Sequence, residues 1–166
     1  MPLTSSIAPY DPQWPKRYEE EAARLKPIFG AALKEIHHVG SSAVPELSAK
    51  PEIDVLVVVD DLNISDACTG SLQRLGYRRG GDLSPGHHFF KRDVDGLRTH
   101  KVHVCLEGHA KIEEILKFRD HLRTNAEIRA QYQALKLKLE KENSTGIGEY
   151  LEGKTPFIQS VLSAID

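Results

Sequence analysis

The 166-residue chain predicts an α/β (α+β) protein: a mixed sheet flanked by helices, with a helical C-terminal third. Three observations support that class. Residues 53–59, Ile-Asp-Val-Leu-Val-Val-Val, are apolar almost throughout and of strand length, as expected of a central strand buried on both faces. Residues 77–104 alternate strand-like segments with turns at Gly80-Gly81, Ser84-Pro85-Gly86 and Asp95-Gly96. In the last third, Ile128, Tyr132, Leu135 and Leu139 recur at three- and four-residue spacing, the signature of one helix face.

Residues 1–12, rich in Pro and Ser, predict extended chain. Pro15 suits the first turn of a helix, where its missing N–H is not needed. That helix should run to about Phe29, with Tyr18, Ala22, Leu25 and Phe29 on one face, and Pro27 is expected to cut its end short. A strand over 35–39 follows, then a Gly-Ser turn and a loop through Pro45 and Pro51. Ser65 reads as the cap of a helix over 66–75 that stops at Gly76. Thr124 and Glu127 form a capping box ahead of the Tyr132 stripe. Thr155-Pro156 is expected to open the final helix, whose apolar face is Phe157, Ile158, Val161, Leu162 and Ile165. With no internal repeat or low-complexity linker, residues 1–166 read as a single domain.

Charge narrows the partners. The 22 basic side chains do not exceed the 24 acidic ones, so no general nucleic-acid binding is expected. The longest apolar run falls far short of the roughly 18 residues a membrane helix needs, and no basic start precedes an apolar stretch. These features predict a cytoplasmic protein; the sequence assigns no oligomeric state. Cys68 and Cys105 lack CxxC spacing and read as small buried hydrophobes.

The candidate site begins at Gly40-Ser41-Ser42. Glycine permits close approach and unusual dihedrals, so this turn could bring backbone N–H groups, and the Ser41 and Ser42 hydroxyls, onto phosphate oxygens. Twelve residues after Ser42, Asp54 at the head of the apolar strand offers a carboxylate able to ligate a divalent cation that bridges phosphates. Lys50 and Lys91 are candidate anion contacts, as is Arg119 on an amphipathic helical segment. Residues 148–155 match the P-loop expression GxxxxGK[ST], but no strand precedes them and only eleven residues follow, so a P-loop is rejected.

Residues 37–59, HHVGSSAVPELSAKPEIDVLVVV, resemble the signature of the GrpB family. The likeness continues through Lys101-Val-His-Val104, Phe118-Arg-Asp-His-Leu-Arg123, Tyr132-Gln-Ala-Leu-Lys136 and Tyr150-Leu-Glu-Gly-Lys154. This resemblance implies a nucleotidyltransferase-like fold of the polymerase-beta type, with site proximity for Arg119 and Lys154. Proteins of that superfamily hold two metal ions with two carboxylates spaced i and i+2 on one strand and a third on a neighbouring strand. Against that pattern Asp54 takes the first position, Leu56 stands at i+2, and His103 is the expected counterpart of the third. One carboxylate and one imidazole suit a single ion and shift preference from Mg²⁺ toward Mn²⁺ or Zn²⁺. His38, two residues before Gly40, is the candidate third ligand. The other reading of His103 is a strand residue satisfied by a hydrogen bond.

The expected function is therefore a nucleotidyltransferase-like protein that binds a nucleotide or other phosphate-bearing small molecule with a divalent metal (Mg, Mn or Zn). Asp54 and His103 would be catalytic. A non-catalytic nucleotide-binding module and a His/Asp metal-dependent hydrolase or transferase on a non-nucleotide substrate are the alternatives.

Overall fold

In the computed structural model, which describes residues 6–165, the elements run in chain order as follows. Helix α1 (Trp14–Phe29) leads through a short 3-10 turn to strand β1 (Leu33–Val39) and, after the Gly-Ser turn, to β2 (Ile53–Val59). Two short helices, α2 (Asn63–Ala67) and α3 (Thr69–Arg74), precede β3 (Tyr77–Arg79), β4 (His87–Val94) and β5 (Leu97–Leu106). Helices α4 (Ala110–Thr124), α5 (Ala126–Glu142) and α6 (Ile147–Ala164) complete the chain.

The sheet order is β1-β2-β5-β4-β3. β2 is parallel to β5 and antiparallel to β1, and β4 is antiparallel to both β5 and β3, so the sheet is mixed, as predicted. Alternation along β2 divides its side chains between two layers. Ile53, Val55, Val57 and Val59 share a core with Trp14, Leu25 and Phe29 of α1 and Leu72 of α3. Leu56 and Val58 pack with Val39 and Cys105 against Ile112, Ile115 and Leu116 of α4. A third cluster, Val44, Leu47, Leu122 and Tyr132 with Phe157 and Ile158, ties the loop after the Gly-Ser turn to the three C-terminal helices. Residue Asp54 thus lies on the face that α4 and its neighbours cover, at the N-terminal end of a strand held rigid from both sides.

Several expectations are corrected. Pro27 does not shorten α1: it removes one hydrogen bond close to the helix end, while Leu25 and Phe29 on either side are fully buried. Ser65 does not cap a helix. It lies inside α2, fully buried, and its hydroxyl donates to the Leu62 carbonyl at 3.0 Å and also meets His88 Nδ1. The predicted single helix over 66–75 is two helices broken at Cys68. Thr124 ends α4, its hydroxyl on the Asp120 carbonyl, and Asn125 caps α5 by accepting from the Ile128 N–H at 3.0 Å. The final helix begins at Ile147, eight residues ahead of Thr155. Glu149 accepts from the N–H and hydroxyl of both Ser144 and Thr145, fixing that start, and Pro156 sits inside the helix where the carbonyl left unpaired belongs to exposed Glu152. Residues 1–5 of the predicted extended N-terminus lie outside the described residues, while Ala8 pairs with Ala49 through two backbone hydrogen bonds. The Asp95-Gly96 hairpin follows the predicted turn, with positive φ at both positions.

Candidate functional site

The Gly-Ser turn is set by one steric fact. Gly40 has φ 74° and ψ −176°, and a Cβ built on it would lie 2.1 Å from Asp54 Oδ2. Only glycine lets β1 turn this close to the carboxylate. The chain then makes a 3-10 turn over Ser41–Ala43, closed by Ala43 N–H to Gly40 O and Val44 N–H to Ser41 O, both at 3.1 Å. Ser41 bonds the hydroxyl of Tyr132, which α5 buries beneath the turn. Arg119 and Arg123 of α4 brace the turn from the other side, donating to His38 O at 3.0 Å and Ala43 O at 2.9 Å.

Across from Asp54 in the parallel β2–β5 pair stands Lys101. Its ammonium lies 3.4 Å from Glu52 Oε1 and 3.5 Å from Asp54 Oδ1. Glu52 and Asp54 are therefore two carboxylates at i, i+2 spacing facing one ammonium, a spacing read backwards from Asp54 rather than forwards to Leu56. Burial raises the Asp54 carboxyl above its ordinary value, with the Lys101 charge opposing. Burial likewise works to lower the Lys101 ammonium, but the two carboxylates outweigh it and hold it raised. Asp54 Oδ1 is buried with no close hydrogen-bond donor, the Lys101 ammonium standing 3.5 Å away.

Three more lysines converge here. Lys50 and Lys154 hold their ammonium groups 4.2 and 4.7 Å from the centre of the Tyr150 ring, a cation–π clamp. Lys136, almost wholly buried, donates to Ser48 O at 2.6 Å. Burial drives Lys136 down to about 7 and Lys154 to about 8, and the neighbouring lysines add to both shifts. Together with Gly40, Ser41, Ser42, Glu52, Asp54 and Lys101 these residues line a cavity of about 110 Å³. Four lysines against two carboxylates give it a predominantly cationic lining.

A second cavity, of about 340 Å³, adjoins it and shares Gly40, Ser41, Asp54, Lys101 and Tyr132. His103 lines this larger space, but it pairs in register with Leu56, two residues further along β5 than the partner of Asp54. Its Nδ1 is bonded to His87 Nε2 at 2.9 Å, and burial holds His103 at about 3 and His87 at about 4, both neutral. The hydrogen-bonded reading of His103 is the one realised.

His38 is a clear correction. It registers with Val55, so it faces α1 on the opposite side of the sheet from Asp54, stacked on Tyr18 and bonded through Nε2 to Ser42 Oγ at 3.0 Å. Asp54, His103 and His38 do not converge, and among the described residues no group of three His, Cys, Asp or Glu side chains could hold a metal ion. Lys91 registers with Lys101 but lines neither cavity. Arg119 lines the larger cavity, yet its donors are engaged by His38 O and Asp120. Lys154 lines the smaller cavity, although residues 148–155 form part of α6 and no phosphate loop.

Sequence reasoning missed Glu52, Lys101, Lys136 and Tyr150. The Glu52-Ile53-Asp54 spacing was a readable signal. Lys101 carried none, because its role depends on the β2–β5 register.

Among the described residues no helix is long and apolar enough to cross a membrane. The profile of the GrpB protein family matches residues 4–164. The UPF0157 protein YqkA of Bacillus subtilis is 34% identical over 152 residues, which is 91% of this chain but only 44% of that protein's length. The crystal structure of GrpB from Enterococcus faecalis superposes with a TM-score of 0.88 at 33% identity, covering 96% of each chain. Cid1 in complex with the UTP analogue UMPNPP superposes with a TM-score of 0.57 at 12% identity over 89% of this chain and 48% of Cid1, a likeness of fold alone. The same enzyme, a poly(U) polymerase, was also solved with MgATP. By sequence and by structure this chain belongs to the GrpB family, built on a nucleotidyltransferase-like fold.

Proposed function

We propose that the chain binds a nucleotide or another phosphate-bearing small molecule and transfers its nucleotidyl or phosphoryl group. The phosphates would lie between the Gly40–Ser41 turn and the ammonium groups of Lys50, Lys101 and Lys154. The observation that supports this reading most is the convergence of four lysines on a carboxylate pair behind a glycine turn. Charge-assisted hydrogen bonds from such groups are the strong ones, and a turn opened by glycine adds backbone donors. An anion in this cavity would also draw Lys136 and Lys154 back to their charged forms.

The donor set fits one divalent cation arriving with the phosphates, since Mg²⁺ is usually held by one or two carboxylates plus substrate phosphates. Glu52 and Asp54 would hold it, and the buried Asp54 oxygen without a donor is the observation behind that assignment. Bound there, Mg, Mn or Zn would neutralise charge at the transferring phosphoryl group. A two-metal arrangement does not fit, because the neighbouring strand sets the ammonium of Lys101, not a third carboxylate, beside Glu52 and Asp54.

That same lysine favours the second reading, a nucleotide-binding module without turnover. The histidine-carboxylate hydrolase has no support in the geometry, with His38 on the far face of the sheet. Calorimetric titration of nucleoside triphosphates with Mg²⁺, Mn²⁺, Zn²⁺ or EDTA tests the proposal. Lys154→Ala should weaken binding at least tenfold, and Asp54→Asn should abolish its metal dependence without unfolding the protein. If both variants bind as wild type does, the site lies elsewhere. Release of pyrophosphate during turnover separates transferase from binding module.

A further inference from the structure

We infer that the larger cavity receives the body of a small apolar alcohol or phenol, with its hydroxyl at the junction between the two cavities. Its volume, about 340 Å³, lies at the lower end of the roughly 300–1,000 Å³ range of small-molecule sites. The walls are mostly hydrocarbon: Leu83, Ile115, Phe118, Leu122, Leu151 and Leu162 supply much of them.

The charged residues of its walls away from the junction are already engaged. Lys111 pairs with Glu114 at 3.2 Å, and Arg119 is held by His38 O and Asp120. Among the described residues no Asn or Gln lines the space to read the edge of a nucleobase. A polynucleotide strand needs an open cationic groove with exposed stacking faces. Here the aromatic ring Phe118 is instead packed edge-on against Tyr132, their centres 5.2 Å apart.

The junction dictates the ligand's head. Asp54 accepts and Lys101 donates, and both line the two cavities. A hydroxyl can donate to the one and accept from the other, whereas a carboxylate head would be repelled by Asp54. A ligand so held would point its hydroxyl at whatever phosphate occupies the lysine cavity. That it serves as the acceptor rests on the transfer reading above; that it binds does not.

The test uses 2-naphthol, followed by its fluorescence, with 2-naphthoate as the charged control and ATP with Mg²⁺ as the phosphate probe. Leu83 is 55% exposed, so Leu83→Glu leaves the core intact, and Leu162→Glu adds a charge from α6. Naphthol should bind wild type one to one and bind both variants at least tenfold more weakly, while naphthoate binds poorly and ATP is unaffected. Lys154→Ala should do the reverse. Absence of naphthol binding to wild type, or equal binding to the variants, overturns the inference and leaves the phosphate reading standing. Naphthol binding without ATP binding upholds the cavity and removes the transfer reading. A wild-type dimer in sedimentation that Leu83→Glu dissociates would put a second copy on this face, and would also overturn it.

Discussion

Replacing Gly40 with alanine tests the geometry on which the site depends. The new methyl carbon would fall 2.1 Å from Asp54 Oδ2, 2.9 Å from its Cγ and 3.0 Å from its Cβ, where ordinary contact starts at 3.4 Å. The carboxylate must therefore move by more than about 1 Å, which disturbs its ion pair with Lys101. Two costs add. A non-glycine residue at φ 74°, ψ −176° is strained by about 1–3 kcal/mol. Overpacking against a rigid strand costs about 1–3 kcal/mol more. The sum, about 4 kcal/mol, should lower the melting temperature by about 8–16 °C in a domain of this size. Gly30 is the control: its φ is 54°, but an added Cβ meets nothing within 4 Å, so Gly30→Ala carries only the backbone share. Calorimetry on both variants, and on Gly40→Ala in an Asp54→Ala background, separates the contact from the strain. The coupling between positions 40 and 54 should be at least about 1 kcal/mol. Equal costs at Gly40 and Gly30, or no coupling, would refute the reasoning.

Lys101→Met should destabilise the fold by about 2–3 kcal/mol at neutral pH, less than the usual 3–5 for breaking a buried pair because Lys101 is partly exposed. The loss should fade as falling pH protonates Asp54, whose carboxyl burial already holds above its ordinary value, and denaturant melts at several pH values would reveal a pH-independent loss as a refutation. Inorganic phosphate or pyrophosphate should bind with uptake of roughly one proton near pH 8, because Lys154 and Lys136, held at about 8 and about 7, regain charge beside an anion. Calorimetry in two buffers of different ionisation enthalpy reads that uptake, and affinity should fall as pH rises past 8. His38 and His87, held at about 4, and His103, at about 3, all lie below the ordinary 6.5 of imidazole. The unfolded chain therefore takes up these protons first, so their stability is complete above pH 6.5 and lost as pH falls toward 4. The group should contribute several kcal/mol, on the order of 1.4 per pH unit of separation for each ring. Melting temperatures from pH 7 to 4.5 should fall steeply, and His87→Phe should flatten the slope.

The strand run at 53–59, the hairpin turn at Asp95-Gly96 and the Tyr132 stripe were legible because each is a local pattern with one physical meaning. The lysine-lined cavity was not, since its members come from the connection between β1 and β2, from β2 and β5, and from α5 and α6, and only tertiary packing unites them. Lys136 shows why: it falls on the apolar face of α5, where a lone lysine looks like an interruption, yet Ser48 O accepts its proton and makes burial tolerable. His38 was misjudged by parity. Period-two alternation sends it with Val55 toward α1, and the positive φ at Gly40 breaks that alternation before the turn reaches Asp54. His103 was two residues out of register with Asp54, a slip no single sequence reveals. Glu52 was overlooked because it precedes the strand proper, although its spacing from Asp54 was in plain view.

Lys101 gives the free protein an internal counterion. Many carboxylate pairs gathered for a metal repel one another until the ion arrives, and such proteins loosen when it is stripped away. Here the ammonium at 3.4 and 3.5 Å already offsets both carboxylates, so folding demands nothing from solution. Chelators should leave the melting temperature of the ligand-free protein unchanged. A dication offered alone would have to compete with a tethered charge at effectively fixed concentration. On the proposed reading, phosphate would tip that competition by giving Lys101 somewhere else to go, so the anion would assemble before or with the cation and one side chain of β5 would set that order.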